Sequence, residues 1–386
     1  MNYNFLGKNS IARWALYFYV LSLSVFAQDF DLGVVKTNEH SFTVSTFSDG
    51  YEIPWGMAFL PNNDLLVSDR SGKLYRVSND GKENTEIDGV PEVLFKSQGG
   101  LLDVAVHPEF SKNSIIYISY SHALGRKSFT RIAMAKLSGN KLINLKLIFS
   151  VDKKHYTPRA IHFGSRIVFK DGFVYFSVGD SFEREESQDI FTPNGKIHRL
   201  TYTGEIPNDN PFKNGDGSVS SIWTYGNRNP QGLAVSKDGV IWETEHGPRG
   251  GDELNIIKKG VNYGWPVITY GINYIGTKIT DITEKEGMEQ PVWQWTPSIA
   301  VCGMSIYESD LFTKWNGNIL VTALKYEYLE RVVIKDNKFV TRETIYEPGS
   351  RVRDVEVGPN GRIFVALENP GRIVVLSQPT SFQKLN

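Results

Sequence analysis

Apolar and polar residues alternate with a period of two in short runs, broken by Pro, Asn, Asp and Gly, and the same phrase returns six times. It reads GMAFLPNNDLLVSD at 56–69, LDVAVHPEFSKNSIIYISY at 102–120 and SRIVFKDGFVYFSVGD at 165–180. It returns as GLAVSKDGVIWETEHG at 232–247, GMSIYESDLFTKWNGNILVTAL at 303–324 and RDVEVGPNGRIFVALE at 353–368. Strict alternation on both sides of a turn is the signature of a hairpin half-buried on each face. A further β-like run follows several phrases: GKLYRV at 72–77, GKIHRL at 195–200, YLERVVI at 328–334 and GRIVVL at 371–376. Repeats of roughly 50–70 residues, none able to bury its own faces alone, predict an all-β, six-bladed β-propeller with four-stranded antiparallel blades. Sustained helical periodicity is missing. The connections at 181–229 and 248–302 read as unusually long, which places functional loops on one face of the scaffold.

Composition narrows the function classes. A formal charge of -1 carries no basic footprint for nucleic acid. The single cysteine, Cys302, excludes an intrachain disulfide framework and a Cys-based zinc site, and reads as a small packed residue. At the N-terminus, Lys8 and Arg13 flank the apolar run Trp14–Phe26, and Val25-Phe26-Ala27 offers a cleavage site. That run is shorter than the ~20 residues that span a bilayer. The expectation is a signal peptide over 1–27, a single propeller domain over 28–386, and no membrane span in the mature form. The protein would then be exported, periplasmic or extracellular after cleavage near Ala27.

Among the histidines, His107 at a turn reads as structural, and His198 could face either way along its strand. His162, in PRAIHFGSRIVF, is flanked by apolar residues and followed by Gly164, which lets another group approach closely. It is either a satisfied core histidine or a general base. Asp180 ends the second strand of the same predicted hairpin, so the two can meet at one rim as an acid–base pair. Cations gather at blade ends: Arg228 beside Asn229, Lys325, Arg351 and Arg353. They are either solvated rim charge or the seat of a ligand with several carboxylates or phosphates. The stretch TEHGPRGGDELN at 244–255 lacks the helix of a phosphate loop and the spacing of an EF-hand. Its carboxylates and turn carbonyls are compatible with a hard cation.

Taken together, the motifs PWGMAFLP, SQGGLLDVAVHPEF, HFGSRIVF, TYGNRNPQGLAV, EHGPRGGDELN, NYGWPVITYG, PSIAVCGM and RVRDVEVGPNG, in this order over about residues 45–377, resemble the soluble pyrroloquinoline quinone (PQQ)-dependent aldose sugar dehydrogenases of the glucose/sorbosone dehydrogenase family. The resemblance implies an oxidoreductase that converts an aldose to its lactone, with PQQ and Ca²⁺ as cofactors. It implies His162 as the base for the anomeric hydroxyl and Asp180 as its orienting carboxylate. Gln98, Arg228, Asn229, Lys325, Arg351 and Arg353 match the cofactor-binding positions, with Tyr274 a weaker match. Gly247 and Pro248 match the carbonyls that hold the cofactor's Ca²⁺, and Glu253 and Tyr263 a second, structural Ca²⁺ site. Two departures stand out: Ser97 where a glycine commonly precedes Gln-Gly-Gly, and Asn194 where members often place histidine.

The implied partners are an aldose and an electron acceptor that the residues do not identify, in a monomer or homodimer. Two other readings compete. A calcium-dependent lactonase or other hydrolase on a similar propeller would need side-chain carboxylates around an axial metal. A non-catalytic sugar- or protein-binding propeller would have no need of His162, Gln98, Arg228 and Lys325 together.

Overall fold

The computed structural model describes residues 33–379, so the expected signal peptide lies outside the described residues. The strands form six antiparallel sheets, five of four strands and one of five, and make a six-bladed β-propeller. Each repeat phrase supplies the two innermost strands of one blade. The inner strands are Pro54–Phe59, Leu101–Val106, Ile167–Lys170, Pro230–Val235, Val301–Ile306 and Val352–Val357. Helix among the described residues amounts to one turn, Phe110–Asn113, and three 3₁₀ segments.

Local chemistry sets the hairpins. In the third blade Ile167–Lys170 pairs with Phe173–Val178, Lys170 opposite Phe173. The two linking residues, Asp171 and Gly172, have φ of 50° and 85°. Two successive left-handed residues make the turn whose twist matches that of the flanking strands. Apolar side chains on both faces then pack between neighbouring blades. Leu66 and Leu74 of the first blade, for example, share one cluster with Val104, Ile116, Ile118 and Ala133 of the second.

Two features differ from the sequence expectation. The segments 181–229 and 248–302 are not loops throughout. They contain the outer strands Lys196–Thr201 and Ile222–Tyr225 of the third blade, and Asp252–Ile257 and Trp293–Trp295 of the fourth. Lys196–Thr201 corresponds to the β-like run GKIHRL; the other three are short and separated by long turn-rich stretches, which masks their alternation. The last blade also gains two strands from the other end of the chain, Val34–Lys36 and Ser41–Tyr51. Ser41–Tyr51 pairs with Gly371–Ser377 and closes the ring, and Phe42 and Val44 pack with Trp315, Leu329 and Val365.

The six inner strands surround an axis whose charged centre is Arg166. Its Nη1 lies 3.2 Å from Asp103 Oδ1 and its Nη2 2.9 Å from Asp354 Oδ1, while Nε donates to the Gln231 carbonyl at 2.7 Å. The remaining carboxylate oxygens accept the Ile167 and Met57 backbone N–H groups. The cluster divides the axis into an upper chamber, where the inner strands begin, and a lower one, where they end.

Candidate active site

His162 and Asp180 meet above the third blade. His162 Nδ1 and Asp180 Oδ1 are 2.6 Å apart, and both residues are buried. With Nδ1 donating to the carboxylate, Nε2 keeps its lone pair and becomes the free basic atom. Burial, and secondarily the Arg228 guanidinium, push the His162 pKa below the usual imidazole value, against the pull of Asp180. Burial alone would raise Asp180, but its hydrogen bond to His162, the charges of His162 and Arg228 and a backbone donor together hold its carboxyl below the ordinary range. The pair therefore rests as neutral imidazole and carboxylate near pH 7.

Several groups fix this pair. Gln98 Oε1 accepts the His162 backbone N–H at 2.8 Å, which holds His162 at a left-handed φ of 54°. Such a conformation costs a non-glycine residue about 1–3 kcal/mol and persists only where its surroundings enforce it. The group that approaches Gly164 is the backbone of the neighbouring strand: a Cβ there would lie 2.8 Å from Gly179 N, and one on Gly179 only 2.1 Å from the His162 carbonyl. Asp180 is held from two further sides. The Phe182 N–H donates to Oδ1 at 2.8 Å, and the Trp265 indole N–H donates to Oδ2 at 2.9 Å. Trp265 comes from the long segment after the fourth blade's third strand, which runs beside the third blade: the Tyr263 and Trp265 N–H groups donate to Tyr225 and Gly226. The loop at 181–195 is anchored from below by the buried Lys196. Its ammonium donates to the carbonyls of Glu186, Ser187 and Asn194, and burial lowers its pKa to about 7.

A chamber of about 280 Å³ adjoins the pair through Gln98, Phe163 and Gly164, and Asn229, Arg351 and Arg353 also line it, whereas Arg228 and His162 do not. Its charged walls are arginine, Arg70 joining the other two, and among the described residues no carboxylate lines it. This is the reverse of what an axial metal held by carboxylates requires. Arg351 and Arg353 share Glu368, whose Oε2 lies 2.6 Å from Arg351 Nε and whose Oε1 lies 2.7 Å from Arg353 Nε. Burial would raise Glu368, but the two guanidiniums hold it below the usual range, so it splays the pair without cancelling both charges. Arg228 Nη2 lies 3.5 Å from His162 Nε2, and its Nη1 donates to the carbonyls of His246 and Gly247. Two buried nitrogens, Arg228 Nε and His246 Nε2, have no partner among the described residues, and His246 lines the chamber. Buried polar atoms left unpaired are costly, and these suit a bound anion. Lys325 and Tyr274 are not brought to the pair: both are exposed, Lys325 resting its ammonium over Tyr326.

The TEHGPRGGDELN stretch divides into two places. Asp252 braces the turn itself, accepting from Gly247 N–H, the Ser298 hydroxyl and Val301 N–H. The Gly247 carbonyl faces Arg228, so one of its lone pairs is engaged; the Pro248 carbonyl accepts no hydrogen bond among the described residues. Across the strand pair, Glu243 faces Asn255 and Glu245 faces Glu253, bringing three carboxylates onto one buried face. Burial pushes all three above the ordinary carboxylate pKa, helped by neighbouring glutamates at Glu243 and Glu245 and by Asp252 at Glu253, which rises to about 7. Glu245 accepts the Arg228 N–H, and the Asn255 amide donates to Glu243 and Glu253. Glu243 Oε1 and Asn255 Oδ1 have no partner among the described residues. These oxygens are of the kind a hard cation takes, but among the described residues no three acidic, imidazole or thiol side chains are gathered closely enough to hold one. The Tyr263 hydroxyl is spent on Ile256 O and Lys258 N–H, which leaves only its backbone carbonyl for such an ion.

Sequence reasoning missed Trp265 and Arg166, whose partners Asp180 and Asp103 stand 85 and 63 residues away, and also Arg70 and Glu368, although Glu368 is only 15 and 17 residues from Arg353 and Arg351. NYGWP carried Trp265 in a motif, but nothing local to it points at Asp180. The departures have plain local outcomes: Ser97 takes a left-handed φ of 54°, a conformation that favours glycine, and Asn194 sits buried with its amide 3.5 Å from the Asp180 carbonyl.

Residues 51–375 match the family model described as Glucose / Sorbosone dehydrogenase. The chain is 39% identical over 345 residues to the aldose sugar dehydrogenase YliI of Escherichia coli, covering 86% of this chain and 92% of that protein. The apo-form crystal structure of the soluble aldose sugar dehydrogenase from Escherichia coli superposes with a TM-score of 0.83 at 38% identity, covering 88% of this chain and all of that one. The PQQ-bound form of an aldose sugar dehydrogenase from Streptomyces coelicolor superposes with a TM-score of 0.71 at 30% identity, over 86% of this chain and 96% of that one.

Proposed function

The chain belongs to the glucose/sorbosone dehydrogenase family, and from that premise we propose that it is an exported, PQQ- and calcium-dependent aldose dehydrogenase that oxidises the anomeric C1 hydroxyl to a lactone. The observation that supports this reading is the buried His162–Asp180 pair with the Arg228 guanidinium 3.5 Å from Nε2; Gln98, Phe163 and Gly164, which adjoin His162, line the chamber walled by arginines. Asp180 keeps the proton on Nδ1, so Nε2 is the atom that takes the proton of the sugar hydroxyl. The lowered pKa keeps Nε2 unprotonated at neutral pH. Arg228, next to Nε2, stabilises negative charge that develops as the proton leaves.

Gln98, Arg228, Asn229, Arg351 and Arg353 would hold the carboxylates of PQQ, with His246 and Arg70 as further donors; Lys325 and Tyr274 would reach it only from the rim. The carbonyls of Gly247 and Pro248 would hold one Ca²⁺. Glu253 would hold a second, once Glu243, Glu245 and the Tyr263 carbonyl close around it. Bound in the chamber, PQQ with its Ca²⁺ would supply the acceptor for the C1 hydride and pass the electrons on to an external acceptor. Export rests on the charge and hydropathy of residues 1–27.

Purified protein mixed with PQQ and Ca²⁺ is expected to reduce an artificial dye in the presence of aldoses and to melt at higher temperature than with either alone. Chelation of Ca²⁺ should lower that melting temperature even without PQQ, through the Glu253 site. No dye reduction over a broad aldose panel, with no thermal or spectral response to PQQ, would overturn the assignment. Trp265→Phe removes one donor from a buried carboxylate and keeps the ring. It should cut kcat about tenfold, roughly 1.4 kcal/mol, with the KM for sugar little changed. The acid limb of the pH profile should move up, because a less stabilised Asp180 holds the proton on His162 more tightly; an unchanged limb and kcat would remove Trp265 from the pair.

A further inference from the structure

Next to the His162–Asp180 pair, Ser181 and Phe182 take left-handed φ values of 50° and 67° in succession. Each costs a non-glycine residue about 1–3 kcal/mol, and such strain gathers at active sites and ligand clamps. The conformation sets the Phe182 ring centroid 5.6 Å from that of His162 and leaves Phe182 only half-buried. Two guanidiniums rest on this ring. The central carbon of Arg159 lies 4.4 Å from its centroid and that of Arg184 5.4 Å. Arg184 also lies 5.5 Å from the ring of Trp265, whose indole holds Asp180, and its charge reaches His162, where it helps to lower the imidazole pKa. Among the described residues neither guanidinium makes an ion pair or a hydrogen bond, although Glu183 and Glu185 flank Arg184 in the chain. Neither lines the chamber that the cofactor would fill. The arginines of that chamber are different, since Arg351 and Arg353 are both paired with Glu368.

We infer that Arg159 and Arg184 select aldoses that carry an anionic group, a carboxylate or a phosphate, remote from C1. The inference rests on the aldose dehydrogenase reading above and names its substrate class. A sugar whose C1 hydroxyl meets His162 Nε2 passes beside the Phe182 ring, and in a hexopyranose the C6 substituent projects from the end of the ring opposite C1. Two guanidiniums held by one aromatic ring repel each other, and an anion shared between them removes that repulsion. Stacking on the ring occupies their faces and leaves the N–H edges free, and those edges match carboxylate and phosphate oxygens bidentately. A neutral aldose would leave both charges unmet, and an amino sugar would be repelled.

The test uses the protein loaded with PQQ and Ca²⁺, and methyl glycosides whose blocked C1 cannot be oxidised. By calorimetry and ligand-observed NMR, methyl β-glucuronide should bind roughly tenfold or more tightly than methyl β-glucoside, by a margin that shrinks in high salt. In dye reduction, kcat/KM for glucuronate or for glucose 6-phosphate should exceed that for glucose by roughly tenfold or more, the faster of the two identifying the anion. Arg159→Gln combined with Arg184→Gln, both changes outside the core, should bring the anionic and neutral sugars to within about twofold of each other in both assays. Equal affinity of the two glycosides, no gain in turnover for either anionic sugar, or a preference that survives the double substitution would each overturn the inference and leave the dehydrogenase reading standing. Absence of turnover with every sugar would instead overturn the dehydrogenase reading, and glycoside binding would then decide this inference by itself.

Discussion

His162→Gln is expected to lower kcat for aldose oxidation by roughly 10²–10⁴-fold, the range that a positioned general base supplies, while PQQ affinity stays within a few-fold. Glutamine approximates the imidazole in length and still donates toward Asp180, but it has no basic nitrogen at the Nε2 position. The wild-type acid limb gives the matching test. The base works only when unprotonated, so activity rises with pH through the His162 pKa, and burial and Arg228 place that rise below pH 6.5. Asp180→Asn removes the two contributions that raise His162, its hydrogen bond and its charge. The limb should therefore move further down in pH while the plateau falls steeply, since the correct tautomer is no longer enforced. Pre-steady-state reduction of the PQQ-loaded protein measures both. Full turnover in His162→Gln would remove this residue as the base.

Arg166→Met should destabilise the propeller by about 3–5 kcal/mol, the cost of leaving buried charges without their partner. Arg166, Asp103 and Asp354 are each nearly inaccessible, and one guanidinium serves carboxylates from two different blades and a carbonyl from another. Lysine should rescue little, because one ammonium cannot span that fork. The loss should depend on pH. Burial already pushes Asp103 up to about 7 and Asp354 above its ordinary value, with Arg166 holding both down. Without Arg166 their folded pKa values rise further above the unfolded ones. The folded variant then binds more protons than the unfolded chain, and its stability falls as pH rises. Denaturant unfolding at pH 5 and pH 8 should show the smaller deficit at pH 5. A deficit below 1 kcal/mol at both would mean that the cluster does not hold the blades together.

The strand repeat, the hairpin turns and the number of blades followed from the sequence alone, because each depends on residues within about twenty positions of one another. Alternation buries both faces of a blade, and turns such as Asp171-Gly172 adopt the left-handed conformations that a tight hairpin requires. The same locality made the His162–Asp180 pair legible, since the two ends of one hairpin must meet at one rim. The family motifs gave the cations. Only the tertiary structure decided which of them converge. Arg351 and Arg353 enter the chamber on a fork held by Glu368, whereas Lys325 and Tyr274 stay at the surface. It also decided what fixes the base: Trp265 stands 85 residues from Asp180, and Gln98 stands 64 from His162. Ring closure by Ser41–Tyr51 was equally invisible, because that strand lies outside the repeat and finds its partner at the far end of the chain. Periodicity records which face of a strand is buried; it holds no record of which distant side chain lies opposite, and a propeller's chemistry is assembled from such distant neighbours around its axis.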